Sequence, residues 1–295
     1  MPILTPRTAR SLGTVFILML VLALTACSIV QIAYNQSQRL AYWQLNKAFD
    51  FNAQQSEKVQ TSLKQLVQWH RQTQLPLYAQ FANRAQIEAL GPVSPELACE
   101  RRTELEGWSR KLTAQALPMM AELVLTLSPE QLKHLEAYQT ELLDDLKDDY
   151  LDGDVDDRNQ AATKFVLKWA EIFYGHLEKA QRQQLKNEIA ALPLNAQNVY
   201  DEVAFNQHEF LQLIQQLQAQ KATVPQAEQA LQTLFEQFFK PTKEPMRSQR
   251  VQWIASGCKL TSSLHEQTTP EQREKAAKRL RDWETDLKIL TKQTS

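Results

Sequence analysis

"LSPEQLKHLEAYQTELLDDLKDDY", residues 127–150, decides the fold class. Ser128 is followed by Pro129, Glu130 and Gln131, the order of a helix N-terminus. The hydroxyl at the N-cap accepts the N3 amide proton, and glutamine at N3 reaches back to the cap's own amide. Proline fits the first helical position because the N–H it lacks would be unpaired there. Glu130 sets negative charge at the positive end of the helix dipole. Leu132, Leu135, Tyr138, Leu142, Leu146 and Tyr150 then recur at three- and four-residue steps. That is the period of an amphipathic helix with one buried face.

The same grammar recurs on both sides. Thr269-Pro270-Glu271-Gln272 repeats the box, Asn52 stands three residues before Gln55, and Ser94-Pro95-Glu96 offers a cap followed by proline. Asn195 and Val224-Pro225 are softer starts. Helical spacing links Phe165, Trp169, Ile172, Phe173, His176, Leu177 and Ala180, continuing to Leu185, Ile189 and Leu192; a further set runs from Val199 through Phe210 and Ile214 to Leu217. Breaks fall at Gly91-Pro92, Gly153, Pro193, residues 223–225 and residues 241–245, and Pro76 and Pro118 inside helical patterns are expected to kink or end them. Glycine is scarce, 6 in 295 residues, which argues against tight hairpins. The expectation is an all-α fold, an elongated bundle of about eight or nine helices with short connections and antiparallel neighbours. It forms a single domain over residues 39–295, with a weak subdivision near residue 153.

Net charge is −1 and no basic stripe is present, which excludes the usual footprint of a nucleic-acid binder. At the N-terminus, Arg7 and Arg10 precede an apolar run from Leu12 to Leu24. This is the pattern of a secretory signal, although extension to Val30 approaches the roughly 20 residues a membrane span requires. Leu24-Thr25-Ala26-Cys27 resembles the bacterial lipobox, which resolves the ambiguity. The resemblance implies a signal peptide over residues 1–26, removed before Cys27, with acyl chains (palmitate among them) on Cys27. Residues 27–38 then read as a lipidated tether. Ser28 rather than Asp after the cysteine implies, by the same resemblance, an outer-membrane lipoprotein whose body faces the periplasm. Several acyl chains anchor stably where one would not.

Two cysteines then remain, Cys99 and Cys258. In an oxidising compartment they are candidates for a disulfide tying the first half of the chain to the last; the other reading is two buried thiols packing as small hydrophobes. No C-x-x-C is present.

"WHRQTQLPLY", residues 69–78, is the most distinctive internal stretch. His70 falls three and four residues after Val67 and Leu66, on the apolar stripe, where a packing histidine is commoner than an acid, base or ligand. Arg71 is placed to pair with an acid, Trp69 to pack at a rim, and Pro76 to turn the helix. The five histidines never meet at i, i+4, so no helical zinc site is expected, and no metal or cofactor is assigned. Asp152, Asp154 and Asp156 match the first positions of a calcium loop, but Asp157 stands where glycine and Thr163 where glutamate should be. A solvated interhelical loop is the expectation there. No nucleophile elbow, phosphate loop or carboxylate pair is recognisable, and an enzyme is not expected.

The chain resembles a family of proteobacterial lipoproteins of unknown function, through the lipobox Cys27-Ser28, Tyr34-Asn35, Trp43, and the segment Trp69-His70-Arg71, Leu75-Pro76 and Tyr78. That resemblance implies an all-helical envelope lipoprotein and no activity. Locally, Leu127-Ser128-Pro129-Glu130-Gln131 looks like the L-T-x-x-Q box of the periplasmic proteins Spy and CpxP, with a looser copy at residues 268–272. This implies an alternative role as a chaperone or envelope-stress protein. The leading expectation is a non-enzymatic interaction protein, bound to the membrane by its lipid and to envelope proteins by its helical faces.

Overall fold

A computed structural model of the chain describes residues 28–151, 155–192 and 196–293, without the side chains of residues 150 and 155–161. The expected signal peptide, Cys27, Asp152, Gly153 and Asp154 of the acidic run, and the expected break at Pro193 and start at Asn195 lie outside the described residues.

Among the described residues the fold is all-α with no strand. The helices are α1 (Ile29–Asn35), α2 (Ser37–Phe49), α3 (Ala53–Trp69), α4 (Leu75–Glu88), α5 (Pro95–Leu125), α6 (Pro129–Tyr150), α7 (Val155–Tyr174), α8 (Lys179–Ala190), α9 (Ala196–Ala219), α10 (Val224–Phe239), α11 (Met246–Glu266) and α12 (Pro270–Lys292). They outnumber the eight or nine expected because short segments escape a periodicity reading. Residues 165–192 read as an unbroken apolar series, yet Gly175 separates α7 from α8. Its φ is 75°, in the left-handed region that a Cβ disfavours, and a Cβ there would stand 3.2 Å from Lys275 Cδ.

The two internal prolines are accommodated in different ways. Pro118 does not end α5, which runs on to Leu125. At Pro76 the helical pattern divides, as expected, into α3 and α4, and a π-helical segment, His70–Gln74, joins the two. Pro76 lacks an N–H and crowds the carbonyl four residues back. The wider turn before it lets helical hydrogen bonding continue, with Leu75 N–H reaching the His70 carbonyl.

Residues 29–35, expected to belong to a tether, are helical. The Ser28 hydroxyl caps α1 by accepting from Val30 N–H at 3.1 Å, and α1 packs on α12. Gln31 is buried there and donates to Asp286 at 2.8 Å. Local composition cannot show this, because the partner lies 255 residues away.

The largest apolar cluster joins α2, α3, α5, α6, α9 and α10 through Phe49, Val59, Val124, Leu135, Ile214 and Leu231. It draws on residues from both sides of position 153. A second cluster joins α7, α8 and α11 through Ala170, Leu185 and Leu264. A third packs Ala276, Ala277 and Leu280 of α12 against Ala89 at the end of α4. The α4–α12 contact is the most extensive in the molecule, so the C-terminal helix lies against the N-terminal third of the chain. Cys99 near the start of α5 and Cys258 within α11 form a disulfide, with Cα atoms 5.2 Å apart.

Candidate functional site

The π segment places His70 and Arg71 between three elements. An i→i+5 turn shifts the register, so two consecutive side chains serve two different neighbours. The His70 ring faces two phenols: Tyr34 Oη from α1 lies 3.0 Å from Nδ1, and Tyr78 Oη from α4 lies 3.1 Å from Nε2. Tyr34 Oη also lies 3.5 Å from the Val67 carbonyl. A hydroxyl carries one proton, so Tyr34 donates either to that carbonyl or to Nδ1, and the histidine tautomer follows the choice. Beyond Tyr78, Trp108 of α5 extends the stack with ring centroids 4.2 Å apart, and Phe81 meets Trp108 edge-on.

Burial sets the protonation states. It lowers the His70 pKa below the usual 6.5, so the neutral ring is favoured. It raises Tyr78 above its usual value. Burial pushes Tyr34 up to about 12, with the neighbouring Arg71 charge opposing. All three groups are therefore neutral near pH 7.

Arg71 is buried, and among the described residues it meets no acid, contrary to expectation. It donates to Asn35 Oδ1 at 3.0 Å and to the Leu290 carbonyl at 3.2 Å, and its guanidinium stands over the Tyr34 ring. The Leu290 carbonyl lies in the last turn of α12, where among the described residues it has no i+4 partner; it accepts from the C-cap Gln293 N–H at 3.3 Å and has a second lone pair for the arginine. The arginine fork thus ties α1, the π segment and the end of α12 together. Trp69, half-buried, meets the His70 ring edge-on. The segment 69–78 is a joint: the His70 ring and the terminal nitrogens of Arg71 bond within the fold, while Arg71 Nε and Gln74 Oε1 are buried without a hydrogen-bond partner among the described residues. Sequence reasoning singled out Trp69, His70, Arg71, Pro76 and Tyr78 but not Trp108 or Leu290, which carry no local pattern.

A second tyrosine–histidine pair was not anticipated. His265 at the end of α11 is 1% exposed. Its Nε2 lies 2.7 Å from the Gly91 carbonyl and its Nδ1 3.0 Å from Tyr174 Oη. A carbonyl only accepts, so Nε2 carries the proton and Nδ1 accepts from tyrosine. Burial, the main cause, lowers the His265 pKa and raises Tyr174 to about 12. Ser262 donates to the Val93 carbonyl at 2.7 Å. Together with the disulfide, these contacts fasten the loop before α5 to α11.

The capping glutamines reveal a third arrangement. Five helices begin with a glutamine accepting from the N-cap backbone: Gln55, Gln131, Gln181, Gln226 and Gln272. Four of them pair. Gln55 and Gln131 exchange side-chain hydrogen bonds at 3.2 and 2.7 Å, and Gln181 and Gln272 do so at 2.8 and 3.0 Å. Each also caps its partner's preceding segment. Gln131 donates to the Phe49 and Asp50 carbonyls, Gln55 to Thr126, Gln272 to His176 and Gln181 to Gln267. The same device is built twice, joining α3 to α6 and α8 to α12. Gln226 is exposed and stays outside any pair.

A groove of about 670 Å³ lies between α4 and α12, bordered by Pro76, Asn83, Arg84, Glu284, Lys288 and Lys292. Lys288, with Asn83 and Gln86, holds the Glu284 carboxyl below its usual pKa. Among the described residues no group of three or more His, Cys, Asp or Glu is placed to hold a metal ion, and no helix is long and apolar enough to cross a membrane.

The chain belongs to a protein family of unknown function (DUF6279), which matches residues 47–238. That span includes the 69–78 segment and Cys99 and ends before α11. No curated protein and no solved structure matches the chain.

Proposed function

We propose that this chain is an outer-membrane lipoprotein, acylated at Cys27, whose periplasm-facing helical body acts without catalysis as an interaction platform for envelope proteins. The observation that carries the reading is the joint at α1. The first described helix begins two residues after Cys27 and is fixed to the body by Gln31–Asp286 and by the Arg71 fork. Such an attachment gives the body a set position at its anchor, as a platform requires. His70, His265 and Arg71 support the same reading, since the ring nitrogens of the two histidines and the terminal nitrogens of the arginine hold helices together.

The test is palmitate labelling and fractionation of cells expressing the full chain. Cys27→Ala loses the label and leaves the outer-membrane fraction; unchanged labelling refutes the anchor. Photo-crosslinking from exposed positions on α7 then identifies the partner. A client-binding chaperone is a second reading, favoured by the exposed pair Phe165 and Trp169, whose rings meet 6.5 Å apart. It requires the protein to suppress aggregation of an unfolded client at a few-fold excess.

A further inference from the structure

The two N-terminal helices have opposed faces. Inward, Gln31, Tyr34 and Phe49 pack on the body. Outward stand four large apolar side chains: Ile29, 83% exposed, Ile32, 53%, Leu40, 53%, and Trp43, 61%. At about 100° per residue, positions 29 and 32 lie roughly 60° apart on α1, and positions 40 and 43 lie roughly 60° apart on α2, so each pair shares a face. The two helices meet at Gln36, whose N–H closes α1 on the Ile32 carbonyl at 3.2 Å and whose carbonyl opens α2 by accepting from Leu40 N–H at 3.0 Å, with the residue itself in the right-handed helical region. The four exposed residues therefore run along two consecutive helices as an apolar stripe, about 21 Å long at ~1.5 Å rise per residue.

Charge along this segment has one sign. From Ser28 to Phe49 the chain carries Arg39 and Lys47 and no Asp or Glu. Arg39 flanks the stripe; Lys47, at its far end, meets Glu141 of α6 at 3.7 Å. An apolar stripe flanked by a cation and free of acids, with an aromatic amphipathic residue at one end, is the chemistry of a helix lying in the headgroup–acyl boundary of an anionic membrane.

We propose that this stripe docks on the lipid surface of the membrane that holds the Cys27 acyl chains. The inference rests on acylation of Cys27, which brings Ile29 to the bilayer and leaves the stripe running away from that point. Acyl chains alone fix position and permit rotation. A second, linear contact at Ile29, Ile32, Leu40 and Trp43 fixes the tilt, and α1, bolted to α12, passes that tilt to the whole body.

The test uses the mature, lipidated protein in vesicles of phosphatidylethanolamine and phosphatidylglycerol whose acyl chains are brominated. The chain holds six tryptophans, so the signal is the difference between wild type and Trp43→Phe. The Trp43 component is expected to be blue-shifted and quenched by bromine. The double change Ile29→Glu and Ile32→Glu is expected to lower the quenched fraction roughly twofold or more while the protein stays on the vesicles by its lipid. A palmitoylated, vesicle-bound protein whose Trp43 is unquenched and open to aqueous iodide overturns the docking and leaves the anchor standing. A chain without palmitate overturns both. Trp43 shielded only in a dimer, seen equally in lipid-free detergent, assigns the stripe to a second copy and overturns the proposal.

Discussion

Replacing Gln131 with alanine tests whether the paired capping glutamines hold the bundle. Gln131 is buried and sits where three segments meet. Its Oε1 accepts from Ser128 N–H at 3.0 Å and from Gln55 Nε2 at 3.2 Å. Its Nε2 lies within 3.0 Å of the Phe49 and Asp50 carbonyls and of Gln55 Oε1, three acceptors for two protons. At most four hydrogen bonds vanish, each with a net value of about 1 kcal/mol, and water admitted by truncation satisfies some of the exposed partners. The expected loss is about 3 kcal/mol. For a domain of this size that corresponds to a fall in Tm of roughly 6–10 °C, read by far-UV circular dichroism. Gln226→Ala is the control. It breaks the same local capping contact, Gln226 Oε1 to Thr223 N–H at 2.8 Å, at an exposed site without a paired glutamine. Its cost is at most about 1 kcal/mol. Because Gln55 and Gln131 share bonds, the double change Gln55→Ala with Gln131→Ala must cost clearly less than the sum of the singles. Equal losses for Gln131→Ala and Gln226→Ala, or strict additivity of the pair, refute the reasoning.

Three further outcomes follow from the joints. Reducing Cys99–Cys258, or changing both to serine, opens a closure of 159 residues, and the chain-entropy estimate gives a loss of up to about 5 kcal/mol, measured as a shift in urea midpoint between oxidised and reduced protein. His265 is held neutral, with a folded pKa below the ordinary 6.5, so the unfolded chain binds its proton first. Stability is full above about pH 6.5 and falls as pH drops towards the folded value, with a slope of at most about 1.4 kcal/mol per pH unit. His265→Gln should flatten that part of the profile; an unchanged slope contradicts the assignment. Arg71→Lys removes the planar fork shared by Asn35 and Leu290, and costs about 1–3 kcal/mol. Hydrogen exchange should quicken first in α1 and at the end of α12, and protection unchanged in both would show that Arg71 does not hold them.

The candidate site was legible only in part. Trp69-His70-Arg71 stood out as a motif, and the helical period correctly gave His70 an inward direction. Its partners could not be read. Tyr34 lies 36 residues before His70, and the Leu290 carbonyl lies 219 residues after Arg71. Pro76 was legible as the place where a helical pattern divides, but the π turn joining the two helices was not, because it is set against α1 by Tyr34 and against α12 by the Leu290 carbonyl. The tether misled similarly. Ile29, Val30 and Ile32 carry no helical signature over so short a span, and α1, with seven residues, is below the length at which an isolated helix is stable in water. Docking on α12 makes it helical.

The sequence by itself determined the all-α class and the capped starts of the long helices at Asn52, Ser94, Ser128 and Thr269, because caps and apolar period act over three or four residues and each is complete within its own turn. It also determined where the cysteines stand. Tertiary structure alone decided which ends meet. Gln55, Gln131, Gln181, Gln226 and Gln272 are locally alike, each an N3 glutamine bonded to its own N-cap. Only packing brings four of them into two reciprocal pairs and leaves Gln226 in solvent. A side-chain amide has both donors and acceptors, so it can finish its own cap and still serve another helix. Whether it does so depends on which helix end the fold places opposite it, and that is set by apolar contacts distributed over the whole chain.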